Sequence, residues 1–269
     1  MPKKKVKRVE DSFLLNLESP LVVRDSWDSE KLNQFQKVFT WNDDYVDEKK
    51  YIKVNYTYLF PKNLEFKRRR SKLCVTISGN KLSNYKNELY SKRIEAIRWF
   101  EENAPNDFDL YGVGWDRRAF SSILRGVKRV PRLHKLIPFM KYPSFCGVVD
   151  KKKETLEKYN FAICYENITG LNGYITEKIF DCFFAGTIPI YWGASNVTEH
   201  IPEQCFIDKR KFSTHSQLYE FIENMTEDDI EEYRVCIRKF LLSERSAPFR
   251  AETFSHTIAT EILKVRNYV

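Results

Sequence analysis

The sequence predicts an α/β fold built on a parallel sheet, and three observations in one stretch carry that prediction. Phe161–Tyr165 (F-A-I-C-Y) is a continuous apolar run, typical of a strand buried on both faces. Ile175–Ala185 follows as a helix, with Gly186 as its C′ stop. Ile188–Trp192 (I-P-I-Y-W) is then a second apolar strand. Strand, helix and strand within about thirty residues make a βαβ unit, whose two strands run parallel.

The other elements follow in order. Phe13–Leu17 (F-L-L-N-L) reads as a buried strand ending in the loop Glu18-Ser19-Pro20. Val38–Trp41 and Tyr51–Tyr58 are rich in β-branched and aromatic residues and read as strands. Lys62–Lys72 is a basic stretch, and Leu73–Ser78 (L-C-V-T-I-S) is a strand. Ser83–Glu102 reads as a helix, with Leu89, Ile94, Ile97 and Trp99 near helical spacing. Phe108–Val113 reads as a strand closed by Gly112 and Gly114. Pro131, Pro138 and Pro143 break Ala119–Pro143 into a loop with short helical turns, and Lys151–Lys158 is charged and helical. The C-terminal part is helical. Gln217–Asn224 is one segment, Thr226 with Asp229 forms a capping box opening Asp229–Leu242, and a last helix spans about Ala251–Val265. The strand pattern divides the chain into residues 1–72 and residues 73–269.

Composition narrows the classes. The 269 residues are 42% hydrophobic and 15% aromatic, which supports one large or two small packed domains and excludes a disordered chain. No apolar run approaches the ~20 residues needed to span a bilayer. Met1–Glu10 is basic without a following hydrophobic segment, so it does not read as a secretory signal. The net charge of +8 suits an anionic ligand or an acidic surface, and equally suits plain solvated charge. None of the six cysteines forms a C-x-x-C pair or has a histidine at metal-ligand spacing, so free thiols and no metal are expected.

The densest chemical signal is Tyr165–Gly193. Asn167 through Thr176 lie beyond the carboxyl end of a buried strand, where open α/β sheets bind ligands. The free N–H groups of the following helix favour a phosphate. Lys178 places a full cation in that first turn, where the dipole prefers an acid, so it needs an anionic partner, which a ligand phosphate would supply. Glu177-Lys178 also reads as a solvated first turn, and Tyr174 as a residue packed under the helix. Glu18, closing a buried strand, reads either as a functional carboxylate or as a loop acid capping a turn.

Tyr174–Lys178 (Y-I-T-E-K), preceded by Glu166-Asn167 and followed by Ala185–Pro189 and Trp192-Gly193, resembles glycosyltransferase family 10, the α-1,3-fucosyltransferases. Asn16–Pro20 (N-L-E-S-P), Asn87–Arg93 (N-E-L-Y-S-K-R) and Tyr111–Trp115 (Y-G-V-G-W) are also similar to family motifs. The resemblance implies a GT-B architecture, two Rossmann-like domains facing a cleft. Residues 1–72 would be a truncated N-terminal acceptor domain and residues 73–269 the GDP-fucose domain, with the last helix placed to pack back on the first. It also implies an inverting, metal-independent transfer of L-fucose from GDP-β-L-fucose to an N-acetylglucosamine-containing glycan, with no cofactor. Lys178 matches the diphosphate lysine. Asn167 and Tyr174 match phosphate hydrogen-bonders, and Glu177 matches a carboxylate on sugar or ribose hydroxyls. Arg117, with Arg118 as rival, would be a second cation, and Glu18 the catalytic base. Arg93 would line the donor site or form a salt bridge on its helix face.

Two other readings stand beside this one. The short N-terminal part would suit a donor-binding pseudoenzyme without a complete acceptor site. The clusters at Met1–Val9 and Lys67–Lys72 would suit nucleic-acid binding, but no recognised nucleic-acid fold accompanies them, so no nucleic-acid partner is expected. The lack of a membrane anchor and of the C-terminal cysteine pairs of animal Golgi members points to a cytoplasmic, bacterial-type enzyme with peripheral membrane contact, or to a shortened Golgi member.

Overall fold

The structure is a computed structural model that describes residues 8–116 and 141–266. Three short strands open it: β1 (Phe13–Asn16), β2 (Lys37–Thr40) and β3 (Tyr51–Lys53), with the one-turn helix α1 (Ser29–Leu32) between the first two. Asp28 starts α1 by accepting the Glu30 N–H at 3.0 Å. The strands pair in parallel in the order β1-β2-β3.

A second parallel sheet follows. Its strands are β4 (Lys72–Ile77), β5 (Phe108–Tyr111), β6 (Tyr159–Tyr165), β7 (Ile188–Trp192) and β8 (Ile207–Asp208). Helices α2 (Tyr90–Asn103), α3 (Lys152–Leu156), α4 (Glu177–Ala185) and α5 (Val197–His200) lie between them, and α6 (His215–Glu223), α7 (Glu227–Leu242) and α8 (Ala251–Val265) come last. The strand order β5-β4-β6-β7-β8 is that of a doubly wound sheet. From β4 the chain first adds β5 on one side and later β6 on the other. The direction of winding therefore reverses between β4 and β6, and a crevice opens above their carboxyl ends.

Apolar faces explain the layers. Ile179, Phe180 and Phe183 of α4 are fully buried and pack with Ile237 and Phe240 of α7 on one face of the sheet. Ile97 and Phe100 of α2 pack with Leu218 and Ile222 of α6 on the other. The central strands β6 and β7 are buried on both sides, which is why Phe161–Tyr165 and Ile188–Trp192 read as unbroken apolar runs. The helix α8 does not join this core. Its Phe254, Ile258 and Ile262 pack against Phe39, Ile52 and Val54 of the first sheet, and Glu261 pairs with Lys37 at 2.6 Å.

Several boundaries differ from the sequence reading for identifiable reasons. Only Tyr51–Lys53 of the expected Tyr51–Tyr58 strand joins the sheet. The chain beyond leaves it to pair with the segment before α8, Tyr58 N–H to Phe249 O at 3.0 Å and Ala251 N–H to Tyr58 O at 3.1 Å. Helix α2 starts at Tyr90, not Ser83, because Asn87 takes a left-handed φ of 63° and Glu88 then caps the N–H groups of Tyr90 (2.6 Å) and Ser91 (3.1 Å). The capping box of Thr226 and Asp229 is present, but α7 begins at Glu227. Strand β8 is two residues long and was missed, since so short a run has no period to read.

The basic stretch before β4 is partly structural. Arg70 donates to the carbonyls of Tyr159 (2.7 Å) and Ala185 (2.6 Å) and to the Thr187 hydroxyl (2.8 Å). It satisfies the carboxyl end of α4 beside Gly186, which takes the left-handed φ of 62° expected of a stop. Fully buried Arg234 of α7 donates to Gly186 O at 3.2 Å and Arg68 O at 2.6 Å. These two arginines are hydrogen-bonded inward, while Lys67, Arg68 and Arg69 remain exposed. Among the described residues no helix is long and apolar enough to cross a membrane, and all six cysteines are free.

Candidate functional site

The crevice between β4 and β6 is lined by Ser78 at the end of β4, by Ala162–Tyr165 of β6, and by Arg93, Lys152 and Lys178 from three helices. Its organiser is Glu166, the first residue after β6 and fully buried. The Glu166 carboxylate accepts the Thr176 N–H at 2.8 Å, the Thr176 hydroxyl at 2.6 Å and the Lys178 ammonium at 3.0 Å. It therefore pins the start of α4 to the end of β6. It also explains why α4 begins at Glu177 and not Ile175, since Thr176 is extended and its N–H is spent on the carboxylate.

Lys178 keeps 20% of its side chain exposed and makes two further contacts, to Thr176 Oγ1 at 2.8 Å and to Glu177 Oε1 at 3.4 Å. Burial alone would lower its ammonium, but the Glu166 and Glu177 carboxylates outweigh burial and hold it well above the ordinary lysine value. Burial likewise raises the Glu177 carboxyl, and Lys178 more than reverses this. The anionic partner that the sequence pattern demanded for Lys178 thus lies within the chain. Glu166 was quoted with the motif but not assigned a role. The available signal was a charged residue closing an unbroken apolar strand, a position that tolerates an acid only when it is paired.

Arg93 is buried, and its guanidinium donates to the carbonyls of Tyr165 (2.8 Å) and Glu166 (3.0 Å). The alternative of a salt bridge on the helix face is thereby corrected. Arg93 satisfies the open end of β6 and stays beside the crevice. Lys152 pairs with Asp181 of α4 at 2.5 Å.

Tyr174 is buried against the first sheet, its ring 4.8 Å from Trp41 and 6.1 Å from Tyr56. Burial and the nearby Glu166 charge push its hydroxyl up to about 12, so it keeps its proton. Asn167 is half-buried, and its carbonyl accepts the Leu89 N–H at 2.9 Å. Gly173, at φ 79°, touches the first sheet so closely that a Cβ would lie 2.3 Å from Trp41 O. Arg117 and its rival Arg118 lie outside the described residues.

Glu18 is exposed at the end of β1. Its peptide loop is tightly held. Trp41 Nε1 donates to Leu17 O at 2.7 Å, the Tyr56 hydroxyl bonds the same carbonyl, and Trp27 Nε1 donates to Glu18 O at 2.8 Å. Burial raises the buried Tyr90 hydroxyl, and the charges of Arg93, Lys178 and Glu18 all reach it. Among the described residues no cluster of histidine, cysteine, aspartate or glutamate could hold a metal ion.

Residues 127–237 match the model described as glycosyltransferase family 10 (fucosyltransferase), C-term, a range that contains the whole Glu166–Gly193 site. Over that stretch the chain is similar to glycosyltransferase family 10. Over 74 residues it is 39% identical to the α-(1,3)-fucosyltransferase FucT of Helicobacter pylori, covering 28% of this chain and 15% of that protein. Over 75 residues it is 35% identical to an α-(1,4)-fucosyltransferase of Arabidopsis thaliana, covering 28% of this chain and 18% of that protein. A crystal structure of an α1,3-fucosyltransferase with GDP superposes with a TM-score of 0.56 at 16% identity, covering 100% of this chain and 77% of that one. That of TarM from S. aureus gives 0.53 at 11% identity, covering 87% and 45%. The chain thus has the α/β GT-B fold, and its matches span under a fifth of the length of the two curated relatives.

Proposed function

We propose that the chain is an inverting fucosyltransferase that moves L-fucose from GDP-β-L-fucose to a hydroxyl of an N-acetylglucosamine-containing glycan in α-1,3 linkage. The observation that carries this is the Lys178–Glu166 pair at the start of α4, above the β4/β6 switch point, inside the stretch that matches the family 10 model. Two relatives support the linkage and acceptor class: the H. pylori protein named an α-(1,3)-fucosyltransferase, and a mouse protein, 29% identical over 108 residues, named a 4-galactosyl-N-acetylglucosaminide 3-α-L-fucosyltransferase.

In this reading the donor diphosphate lies over the N-terminus of α4, with Asn167 and the Tyr174 segment beside it. Glu177 is the weakest of the Lys178 partners, at 3.4 Å and with half its side chain exposed. An incoming phosphate replaces it, and Glu177 turns to sugar or ribose hydroxyls. Glu166 stays behind and keeps the ammonium aimed. Glu18 takes the proton from the acceptor hydroxyl as its oxygen bonds to the fucose anomeric carbon. The bond from that carbon to the phosphate oxygen breaks on the opposite face, and the electron pair leaves on GDP. Lys178 and the α4 N–H groups meet that growing charge. Inversion requires the base and the leaving group to lie on opposite sides of the sugar, which fits a base on the first sheet and a phosphate site on the second.

The test is incubation of the full chain with GDP-fucose and N-acetyllactosamine, with the product read by mass spectrometry and NMR. Fucosylated product with an α anomeric signal and linkage to O3 is expected. Bound GDP with no transferred fucose would leave a donor-binding protein only, and no GDP binding would remove the proposal entirely.

A further inference from the structure

Tyr90, in the Asn87–Arg93 motif, carries no role in the proposed transfer. It opens α2 and is only 5% exposed. Its N–H is capped by Glu88, but among the described residues its hydroxyl has no hydrogen-bond partner. Phenylalanine would serve packing alone, since a buried hydroxyl left unpaired costs free energy. The surroundings of the ring indicate what the hydroxyl is for. The chain before α2 is sewn to the loop after β6. Leu89 N–H donates to Asn167 O and Thr169 N–H to Asn87 O, both at 2.9 Å, and Glu88 bridges Ile168. One turn into α2, the Arg93 guanidinium lies 5.4 Å from the Tyr90 ring centre and bonds the carbonyls of Tyr165 and Glu166. Glu166 in turn holds Lys178 at 3.0 Å. A chain of contacts, from ring to guanidinium to Glu166 to ammonium, therefore joins Tyr90 to the proposed diphosphate lysine. The Lys178 charge acts on the hydroxyl more strongly than that of Glu18, the proposed base. Burial raises the hydroxyl above the ordinary tyrosine value, so at neutral pH it carries its proton and can donate.

Resting on the fucosyltransferase reading, we propose that Tyr90 is a further catalytic residue, whose hydroxyl donates to the β-phosphate oxygen that leaves fucose. As the acceptor oxygen bonds to the anomeric carbon, the bond from that carbon to the phosphate oxygen breaks, and its electron pair stays on GDP. The Tyr90 hydrogen bond strengthens as that charge grows, and its proton remains on tyrosine. Lys178 supplies the positive charge, and Tyr90 a fixed dipole aimed at the leaving oxygen. An uncharged donor adds this direction without the desolvation penalty of another buried cation beside Arg93 and Lys178.

The test is Tyr90→Phe in the full chain, which keeps the ring and its contact with Arg93. Thermal unfolding should be unchanged, because the hydroxyl has no partner to lose. GDP affinity by calorimetry should fall about tenfold, while affinity for GMP, which lacks the β-phosphate, should hold. Turnover of GDP-fucose with N-acetyllactosamine at saturation should fall by about 10²–10³, the usual loss for one donor to a developing oxyanion. Unchanged GDP affinity, or an equal loss for GDP and GMP, would overturn the proposal. A lowered unfolding temperature with the GDP-to-GMP ratio intact would make the hydroxyl structural and overturn it as well. Failure of the fucosyltransferase reading shows separately. If the unmodified protein binds GDP but transfers no fucose, that reading falls, and the two nucleotides still decide whether Tyr90 contacts the β-phosphate.

Discussion

At the scale of single residues, the proposed function gives Lys178 and Glu18 separable jobs, and their replacements should fail differently. Lys178 is the partly exposed cation at the start of α4, so Lys178→Ala removes charge from the proposed diphosphate site. GDP affinity should fall by about tenfold or more, the range expected for a charge-assisted hydrogen bond worth about 1.5–3 kcal/mol. Glu18→Gln keeps the shape and removes the basicity. Turnover at saturating donor and acceptor should fall by ~10²–10⁴ with GDP affinity unchanged. Calorimetry with GDP and steady-state turnover on both variants check the pair. A Glu18→Gln protein with ordinary turnover would move the base elsewhere. Lys178 and Glu18 were marked as candidates by motifs in the sequence. Glu166 was not, because its role depends on two hydrogen bonds to Thr176 and one ion pair to Lys178 that only the packed loop creates.

At the scale of elements, α4 shows how local rules and tertiary contacts divide the work. Its buried Ile179, Phe180, Cys182 and Phe183 follow helical spacing, and Gly186 ends it by a rule visible in the sequence. Its start follows no local rule: Thr176 makes no side-chain cap, and the buried carboxylate from the end of β6 supplies the acceptor. Breaking a buried pair leaves an uncompensated charge. Glu166→Ala should therefore cost about 3–5 kcal/mol, well above the loss from Glu177→Ala at the exposed end. Urea denaturation of the two variants checks the ranking, and equal midpoints would mean that Glu166 does not anchor the helix. The same division marks α2, where a left-handed Asn87 and the Glu88 cap set a start that apolar spacing alone placed seven residues too early.

At the scale of the whole molecule, the two sheets meet at a seam of polar and aromatic contacts around the Glu166–Thr176 loop. Asp43 joins Lys53 of the first sheet to Asn196 and His200 of the second unit, with distances of 2.9 Å to Asn196 and 2.8 Å to His200. Burial would raise the Asp43 carboxyl, but the hydrogen bonds from His200, Asn196 and Lys53 hold it well below the usual carboxylate range. Asn196 Oδ1 in turn accepts the Gly173 N–H at 2.8 Å, so the seam and the Glu166–Thr176 loop are one network. Gly173→Ala adds a methyl where there is no room, at a backbone angle that disfavours it. It should destabilise the protein by roughly 2 kcal/mol or more and lower turnover more than GDP affinity, because it separates Glu18 from the donor. Thermal unfolding with matched turnover and GDP titrations checks this. A variant as stable and active as the parent would mean that the seam does not set the cleft.

The sequence by itself determined the parallel α/β class, the βαβ unit around Phe161–Trp192 and the last helix. These follow from patterns of apolar residues that are local in the chain: runs of five, helical spacing, and a glycine stop. It also marked Lys178 and the motif around it. Only the tertiary structure decided the reversal of strand order that opens the crevice and the burial of Arg93. It alone showed that Glu166 holds Lys178 and that Arg93 links Tyr90 to Glu166. Each of those is a contact between groups far apart in the chain. Their partners are chosen by the closing of two sheets against each other, and no spacing rule along the chain records that choice.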